Sequence, residues 1–482
     1  MKSFPIKILI FVLPLYLIFS IATIFIQPSG DDWAILTKPN WNLGIGPIYR
    51  PFEVLFSIVA LKYPSTFPYL NHLVILLCHL LNTYLLYHLI RKFNVDEKTA
   101  LISSMFFLFA PSVMGAVTSV DGTNQTISTF FSLLGFFGYY KHKGLLKYLG
   151  WLAFTMMAAM HKEIGITWFI GTPLLAYIID YPNRKVFFTS SSFKSLLFNA
   201  TIGLIFVGIY FVIRINTSIS GMISTNDVYP KYTIGLGKNL FVNLGLLLSS
   251  CATAIDTVAY FGYPKRYYLT ILTVILSIPF AVLTAIRVYD KTIKEKQWNQ
   301  IVLFIVFSII VISPHLVMGR CGELHAYSLA LPYSVLLAVI FNNKKSTKIT
   351  TVILIIFGIS IIIVDSHKWY GTYKNGYYGL KIANEIKEQT RGIPKRVKVI
   401  TIIYRDSHIP YSSFYHDEKW AYNPYLMRLH YSQYFEKLDH LPLNAHTLHL
   451  KDKIDSVISD AAEKKYEFVW IIDKSNAKVI KL

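Results

Sequence analysis

Apolar residues recur along this chain in long runs separated by short polar breaks. A hydrocarbon core of roughly 30 Å needs about 20 such residues in a helix. Runs of that order lie near 6–26, 69–90, 100–117, 124–140, 146–160, 164–180, 195–215, 267–287, 299–318, 325–341 and 348–364. The pattern predicts an α-helical polytopic membrane protein with about eleven transmembrane helices. The first run is longer than an ordinary signal-peptide core and has no small-residue cleavage site before Gln27, so it is read as a retained helix. Leu240–Ala259 is also apolar, but it carries Asp256 and several Ser and Thr, and counting it would reverse the charge asymmetry of every later loop. It is read as a helix lying at the interface or packed in the bundle.

After Asp365 the pattern changes. Val397–Tyr404 and Tyr466–Ile472 read as buried strands, and Leu380–Gln389 and Lys451–Lys464 have helical spacing. The expected organisation is a transmembrane domain over 1–365, with long loops at 27–68 and 216–266, followed by a small α/β domain over 366–482. That tail is rich in Tyr and His between Tyr404 and His449, a composition that suits sugar stacking or acceptor binding.

The polar breaks orient the helices. Arg91, Lys92 and Lys98 follow the second run, Lys141, Lys143 and Lys147 the fourth, and Arg184, Lys185 and Lys194 the sixth. Arg287, Lys291, Lys294 and Lys296 follow the eighth, and Lys344, Lys345 and Lys348 the tenth. By the positive-inside rule these loops and the N-terminus are cytoplasmic, and an odd number of spans puts the C-terminal domain outside. Composition agrees: 54% of residues are hydrophobic and only 15% charged, outside the range of soluble domains. The net charge of +20 then reflects topology and anionic lipid contact, not nucleic-acid binding. Cys78, Cys251 and Cys321 are scattered, and imply neither a disulfide framework nor a metal cluster.

Candidate chemistry gathers on the outer side. Asp31 and Asp32 follow the first run, and Arg50 stands in Tyr49-Arg50-Pro51. Asp121 lies between the third and fourth runs, His161-Lys162-Glu163 between the fifth and sixth, and Arg320, Glu323 and His325 between the ninth and tenth. Singly each has an ordinary reading: Lys162 can snorkel, Arg50 can anchor at the interface, and Arg320 and Glu323 can pair at i,i+3. As a set at one membrane face they point to transport or catalysis. Acids beside Lys and Arg supply what sugar transfer from a lipid phosphate requires, a carboxylate to take the acceptor's proton and cations for the departing phosphate. No nucleotide-binding loop is present in the sequence.

The acid pair, Tyr49-Arg50-Pro51, Tyr69-Leu70-Asn71-His72, Cys78-His79-Leu80-Leu81-Asn82, Phe109-Ala110-Pro111, the segment Thr118–Gln125, His161-Lys162-Glu163-Ile164 and the stretch from Arg320 to Pro332 with Glu323 and Tyr327 together resemble the GT-C membrane glycosyltransferases. The likeness is nearest to the protein O-mannosyltransferase and TMTC-like branches, and it covers about the first 340 residues. The resemblance implies an inverting transferase of a polyprenyl-phosphate sugar. It makes Asp31 or Asp32 the general base and Glu163 part of the acid set, and it puts Lys162, Arg320 and Arg50 as candidates on the donor phosphate. Asp121, His161, Glu323 and His325 are further active-site candidates. The tail lacks the tetratricopeptide-like repeats of the animal TMTC proteins. A Lys- and Ile-rich chain with a compact tail suits a bacterial inner or plasma membrane enzyme, with undecaprenyl phosphate as donor lipid and a surface glycan, lipid or protein as acceptor. A divalent cation held by Asp31, Asp32, His161, Glu163 and His325 is open, because no fixed ligand spacing demands one. The competing class is a transporter or flippase of a lipid-linked or anionic solute, which needs no general base. It is weakened by charges at the edge instead of the midplane.

Overall fold

The computed structural model describes residues 67–119, 122–180, 190–216, 237–254, 267–294, 298–317, 323–342, 348–389, 397–404, 435–443, 450–473 and 476–482, with parts of 14–26 and 58–63. Helices dominate. In chain order they are α1 (Phe67–Lys92), α2 (Glu97–Phe109), a 3-10 turn (Pro111–Val113), α3 (Met114–Val117), α4 (Gly122–Lys141) and α5 (Gly144–His161). A second 3-10 turn (Glu163–Thr167), α6 (Trp168–Asp180), α7 (Ser190–Asn216), α8 (Lys238–Ala252) and α9 (Tyr267–Tyr289) follow. Then come α10 (Trp298–Leu316), α11 (Glu323–Phe341), α12 (Lys348–Gln389) and, in the tail, α13 (Leu450–Glu463).

Local chemistry sets the breaks. Asp96 caps α2, its carboxylate accepting the Thr99 amide at 2.9 Å. Pro111 disfavours helical backbone at Ala110, which is extended, and the chain bends by 45° between α2 and the Pro111–Val117 segment. Arg91 and Lys92 close α1, where the negative end of the helix dipole favours cations. Gly138 and Gly150 let α4 and α5 meet backbone to backbone: a Cβ on Gly150 would lie 3.2 Å from the Gly138 Cα.

Among the described residues seven helices are long and apolar enough to cross a membrane, or eight if the bent pair is one span. Large apolar side chains stay exposed along three of them: Leu204, Ile205 and Val212 on α7, Ile275, Ile278 and Val282 on α9, and Ile355, Ile359 and Ile362 on α12. A water-facing surface would not carry such stripes, so these faces meet lipid. Of the eleven expected runs, those at 124–140 and 146–160 fall short by polarity: the first turns of α4 carry Thr123, Asn124, Gln125, Thr126, Ser128 and Thr129, all buried in the bundle, and α5 carries Lys147 and His161. The first apolar run lies partly outside the described residues. Part of it still touches α1, where the Tyr16 hydroxyl donates to the Leu76 carbonyl at 2.7 Å. At 15 residues α8 is too short to span, and it lies against α11.

A polar junction ties the bundle together at Tyr327, which is wholly buried on α11. His79 of α1 sits with Nε2 at 3.1 Å from the Leu108 carbonyl and Nδ1 at 2.9 Å from the Tyr327 hydroxyl. A carbonyl only accepts, so Nε2 carries the proton and Nδ1 receives the Tyr327 O–H. Asn82 completes the set, its amide donating to the Tyr327 oxygen at 3.0 Å and to the Thr126 carbonyl of α4 at 2.9 Å. One hydroxyl therefore joins α1, α2, α4 and α11. Nearby, Thr123 donates to Asn71 at 2.8 Å, and His72 Nε2 donates to the Ile26 carbonyl at 3.1 Å.

The tail holds a four-stranded sheet in the order β2-β1-β3-β4, with β1 (Val397–Tyr404), β2 (Phe435–Leu443), β3 (Phe468–Asp473) and β4 (Asn476–Lys481). β1 is parallel to β2 and β3, and β4 is antiparallel to β3. On α13, Ile454, Val457, Ile458 and Ala461 form one stripe that packs on Tyr466, Val469 and Ile471. α12 is 42 residues long and crosses 365–366 unbroken. The Gln389 side chain at its end accepts the Val479 amide of β4 at 2.8 Å.

Tyr327→Phe removes the shared hydroxyl and leaves His79 Nδ1 and one Asn82 N–H without a partner inside the bundle. The expected loss is about 1–2 kcal/mol. Thermal unfolding of the purified protein in detergent measures it, and an unchanged Tm would remove the junction's structural importance.

Candidate functional site

The helical hairpin of α4 and α5 ends at His161, where Lys162 leaves helical space with φ −150° and ψ 142°. Its amide still closes the helix on the Ala158 carbonyl at 3.1 Å, and its carbonyl accepts the Gly165 amide at 2.9 Å, which starts the 3-10 turn. Gly165 fits because it has no side chain: a Cβ there would lie 2.4 Å from the Ala158 carbonyl carbon. The Thr167 hydroxyl donates to the Ile164 carbonyl at 2.7 Å within the same turn. Lys162 and Glu163 are consequently held half-buried on a short rigid corner. His161 is buried, its ring stacked on Phe131 with centroids 5.6 Å apart and planes at 16°.

The second contribution comes from the facing ends of α10 and α11. His315, buried in the last turn of α10, and half-buried His325, in the first turns of α11, bring their rings to 4.4 Å. Lys162 and Glu163, like His325, lie near enough to His315 to act on it electrostatically. Asn243 of α8 fixes the end of α10 by donating to the His315 and Leu316 carbonyls, each at 3.2 Å, and so satisfies acceptors that helix geometry leaves open. Gln125 of α4 donates to the Ser328 hydroxyl of α11, and Ser328 reaches His315 Nε2 at 3.5 Å. If Ser328 donates, the His315 proton sits on Nδ1, a buried atom with no hydrogen-bond partner. A small cavity of about 10 Å³ beside this chain is lined by Thr129, Ser132, Ile164, Trp168, Val311, Ser328 and Leu331. It has room for a water molecule and not for a substrate.

A further buried cation lies where α12 passes the bent helix. Lys368 donates to the Pro111 carbonyl at 2.9 Å.

Of the residues expected to carry chemistry, Lys162, Glu163 and His325 lie in the neighbourhood of His315, a residue not expected there. The structure places His161 beside them as a stacked, buried ring. Glu323 is the first residue of α11. Asp31, Asp32, Arg50, Asp121 and Arg320 lie outside the described residues. Among the described residues no group of three or more His, Cys, Asp or Glu is placed to hold a metal ion. Asp31 and Asp32, members of the cation site considered from sequence, are not among them. Several motif residues serve the bundle itself: Asn71, His72, His79, Asn82 and Tyr327 hold helices to one another. The signal for that role was present as polar residues at helical spacing, 72, 79 and 82, inside an apolar run. His315 is a single polar residue at the end of an apolar helix, and Lys368 follows Asp365, Ser366 and His367 where the apolar part of α12 ends, so neither stands out in the sequence.

No family model matches the chain, and no curated protein matches it. Solved structures similar to it include those of two proteins. One is ArnT from Cupriavidus metallidurans bound to undecaprenyl phosphate, at 8% identity, covering 98% of each chain with a TM-score of 0.46. The other is the archaeal oligosaccharyltransferase AglB from Archaeoglobus fulgidus, in complex with an inhibitory peptide and a dolichol-phosphate. It is 13% identical over 95% of this chain and 69% of that one, with a TM-score of 0.41. At such scores the likeness assigns neither an activity nor a residue role.

Gly165→Ala should push the 3-10 turn off α5 and displace Lys162 and Glu163, because the contact it creates is with backbone, which cannot rotate away. A loss of about 1–3 kcal/mol is expected. Thermal unfolding combined with cysteine-labelling rates at position 162, in a background free of native cysteines, checks it. A stable variant with unchanged labelling would show that the corner has slack.

Proposed function

We propose that this protein is a membrane glycosyltransferase that moves a sugar from a polyprenyl phosphate to an acceptor hydroxyl at the outer face of the membrane. The observation that carries the reading is the meeting of Lys162, Glu163, His315 and His325. These residues come from two widely separated parts of the chain and gather at one end of the helix bundle. The family resemblance of the surrounding motifs supports it. In this reading the polar hairpin α4–α5 and the first apolar run also cross the membrane, giving eleven spans, with the N-terminus cytoplasmic and the 366–482 domain outside. The membrane is a bacterial inner or plasma membrane, the donor lipid is undecaprenyl phosphate, and the acceptor is a surface glycan, lipid or protein.

The chemistry follows from the groups present. Asp31 or Asp32 takes the proton of the acceptor hydroxyl as its oxygen attacks the anomeric carbon from the side opposite the phosphate. The carbon–oxygen bond to the phosphate breaks, its electron pair leaves with the lipid phosphate, and the configuration inverts. Lys162, with Arg320 and Arg50, balances the charge that develops on the departing phosphate. Glu163 belongs to the acid set and keeps Lys162 oriented. Asp121, His161, Glu323 and His325 line the surroundings.

Reconstituted protein given a radiolabelled polyprenyl-phosphate sugar and a membrane acceptor fraction tests the assignment. Asp31→Asn and Asp32→Asn are made separately, and one of them should lose roughly 100-fold or more in transfer rate. Lys162→Ala should lose activity at all donor concentrations. Full activity in both Asn variants would sink the general-base assignment. Passage of the lipid across sealed vesicles with its sugar still attached would instead identify a flippase.

A further inference from the structure

We infer that the end of the bundle opposite His161 and Lys162, where α1 ends and α4 turns into α5, is a docking surface for anionic phospholipid headgroups. Three lysines there rest on aromatic faces of α4 and α5. Lys147 Nζ lies 3.9 Å from the Tyr139 ring centroid and 5.5 Å from that of Tyr148. Lys141 Nζ lies 5.2 Å from Phe137, and Lys92 Nζ, arriving from α1, 5.3 Å from Tyr140. The close approach of Gly138 and Gly150 brings these rings and Lys147 to one place.

An ammonium over a ring face is held in position but not neutralised. Among the described residues none of the three lysines has a carboxylate within ion-pair distance. The segments that meet here carry the acids Asp96, Glu97 and Asp180 and the cations Arg91, Lys92, Lys98, Lys141, Lys143 and Lys147. Asp96 caps α2, and Asp180 accepts the Tyr140 hydroxyl at 3.2 Å. The Arg91 guanidinium is committed to the Val95 carbonyl. What remains is fixed positive charge at the level where aromatic rings mark a membrane interface, next to exposed Leu145, Leu146 and Leu149 on α5. A lipid phosphate reaches the lysines while its acyl chains lie along those leucines. A soluble anion would use the first contact and leave the second unmet.

The full-length protein is placed in nanodiscs with equal parts phosphatidylglycerol and phosphatidylcholine, and retained lipid is read by native mass spectrometry. The wild type should keep phosphatidylglycerol in preference. Lys141→Gln combined with Lys147→Gln should lower that preference by more than about tenfold, at about fivefold per cation. Lys92→Gln alone should lower it less. Lys451→Gln with Lys453→Gln, the same charge change on α13 of the tail, should leave it unchanged. Equal retention of both lipids by the wild type would overturn the inference. So would an unchanged preference in the Lys141/Lys147 variant, or an equal drop in the tail variant. Sugar transfer is not measured here, so the result stands apart from the proposed activity.

Discussion

A buried hydroxyl of α11, bonded to His79 and Asn82 of α1 and through them tied to α2 and α4, is the constraint on which the rest of this structure depends. Within a membrane no water satisfies a stray donor or acceptor, so polar side chains must find one another. Tyr327 does this by giving its proton to His79 and receiving one from Asn82, while His79 and Asn82 spend their remaining donors on carbonyls of α2 and α4. The geometry admits little freedom, because each partner has only one free role. With α1, α4 and α11 fixed in this way, Gln125 and Ser328 fall opposite each other, and Ser328 falls beside His315. The corner that presents Lys162 and Glu163 is then held between the hairpin and α10, where Thr167 and Val311 approach.

The helices were legible in the sequence because a lipid-facing helix must be apolar over a fixed length. The runs at 69–90, 195–215, 267–287 and 348–364 coincide with α1, α7, α9 and the first half of α12. Hydropathy is less informative where a helix is surrounded by protein. The buried polar turns of α4 lower its apolar content although it lies in the bundle. Nor does hydropathy report continuity: α12 runs on well past 365 although Gly371, Gly376 and Gly379 weaken helix there, and good helix formers return only at Leu380–Gln389. In the tail, β1 and β3 stood out as β-branched runs. β2, with the sequence Phe435-Glu436-Lys437-Leu438-Asp439-His440-Leu441-Pro442-Leu443, carries charges and a proline and does not look like a strand alone. Pairing with β1 makes it one.

The site was half legible for a similar reason. Lys162 and Glu163 interrupt an apolar stretch, and interruptions are visible. His315 shows itself only through its neighbours, since a histidine after Pro314 at a helix end is unremarkable until the His325 ring is found 4.4 Å away. The two ends of the bundle also differ in kind. At one, Lys162 and Glu163 stand near two histidines on a corner where Gly165 lies close against α5. At the other, three lysines lie on rings and none has a carboxylate within ion-pair distance among the described residues. The first arrangement suits a reaction in which charge moves, and the second suits standing attraction to a charged surface.

The proposed binding of a lipid phosphate is read most directly by mass spectrometry of lipids that remain with the protein purified from its native membrane. Polyprenyl phosphate should be retained near one per protein by the wild type and should fall to background in Lys162→Ala, with bulk phospholipid unchanged. Polyprenyl phosphate at background in the wild type, or equal retention by both proteins, would contradict a lipid-phosphate site at Lys162.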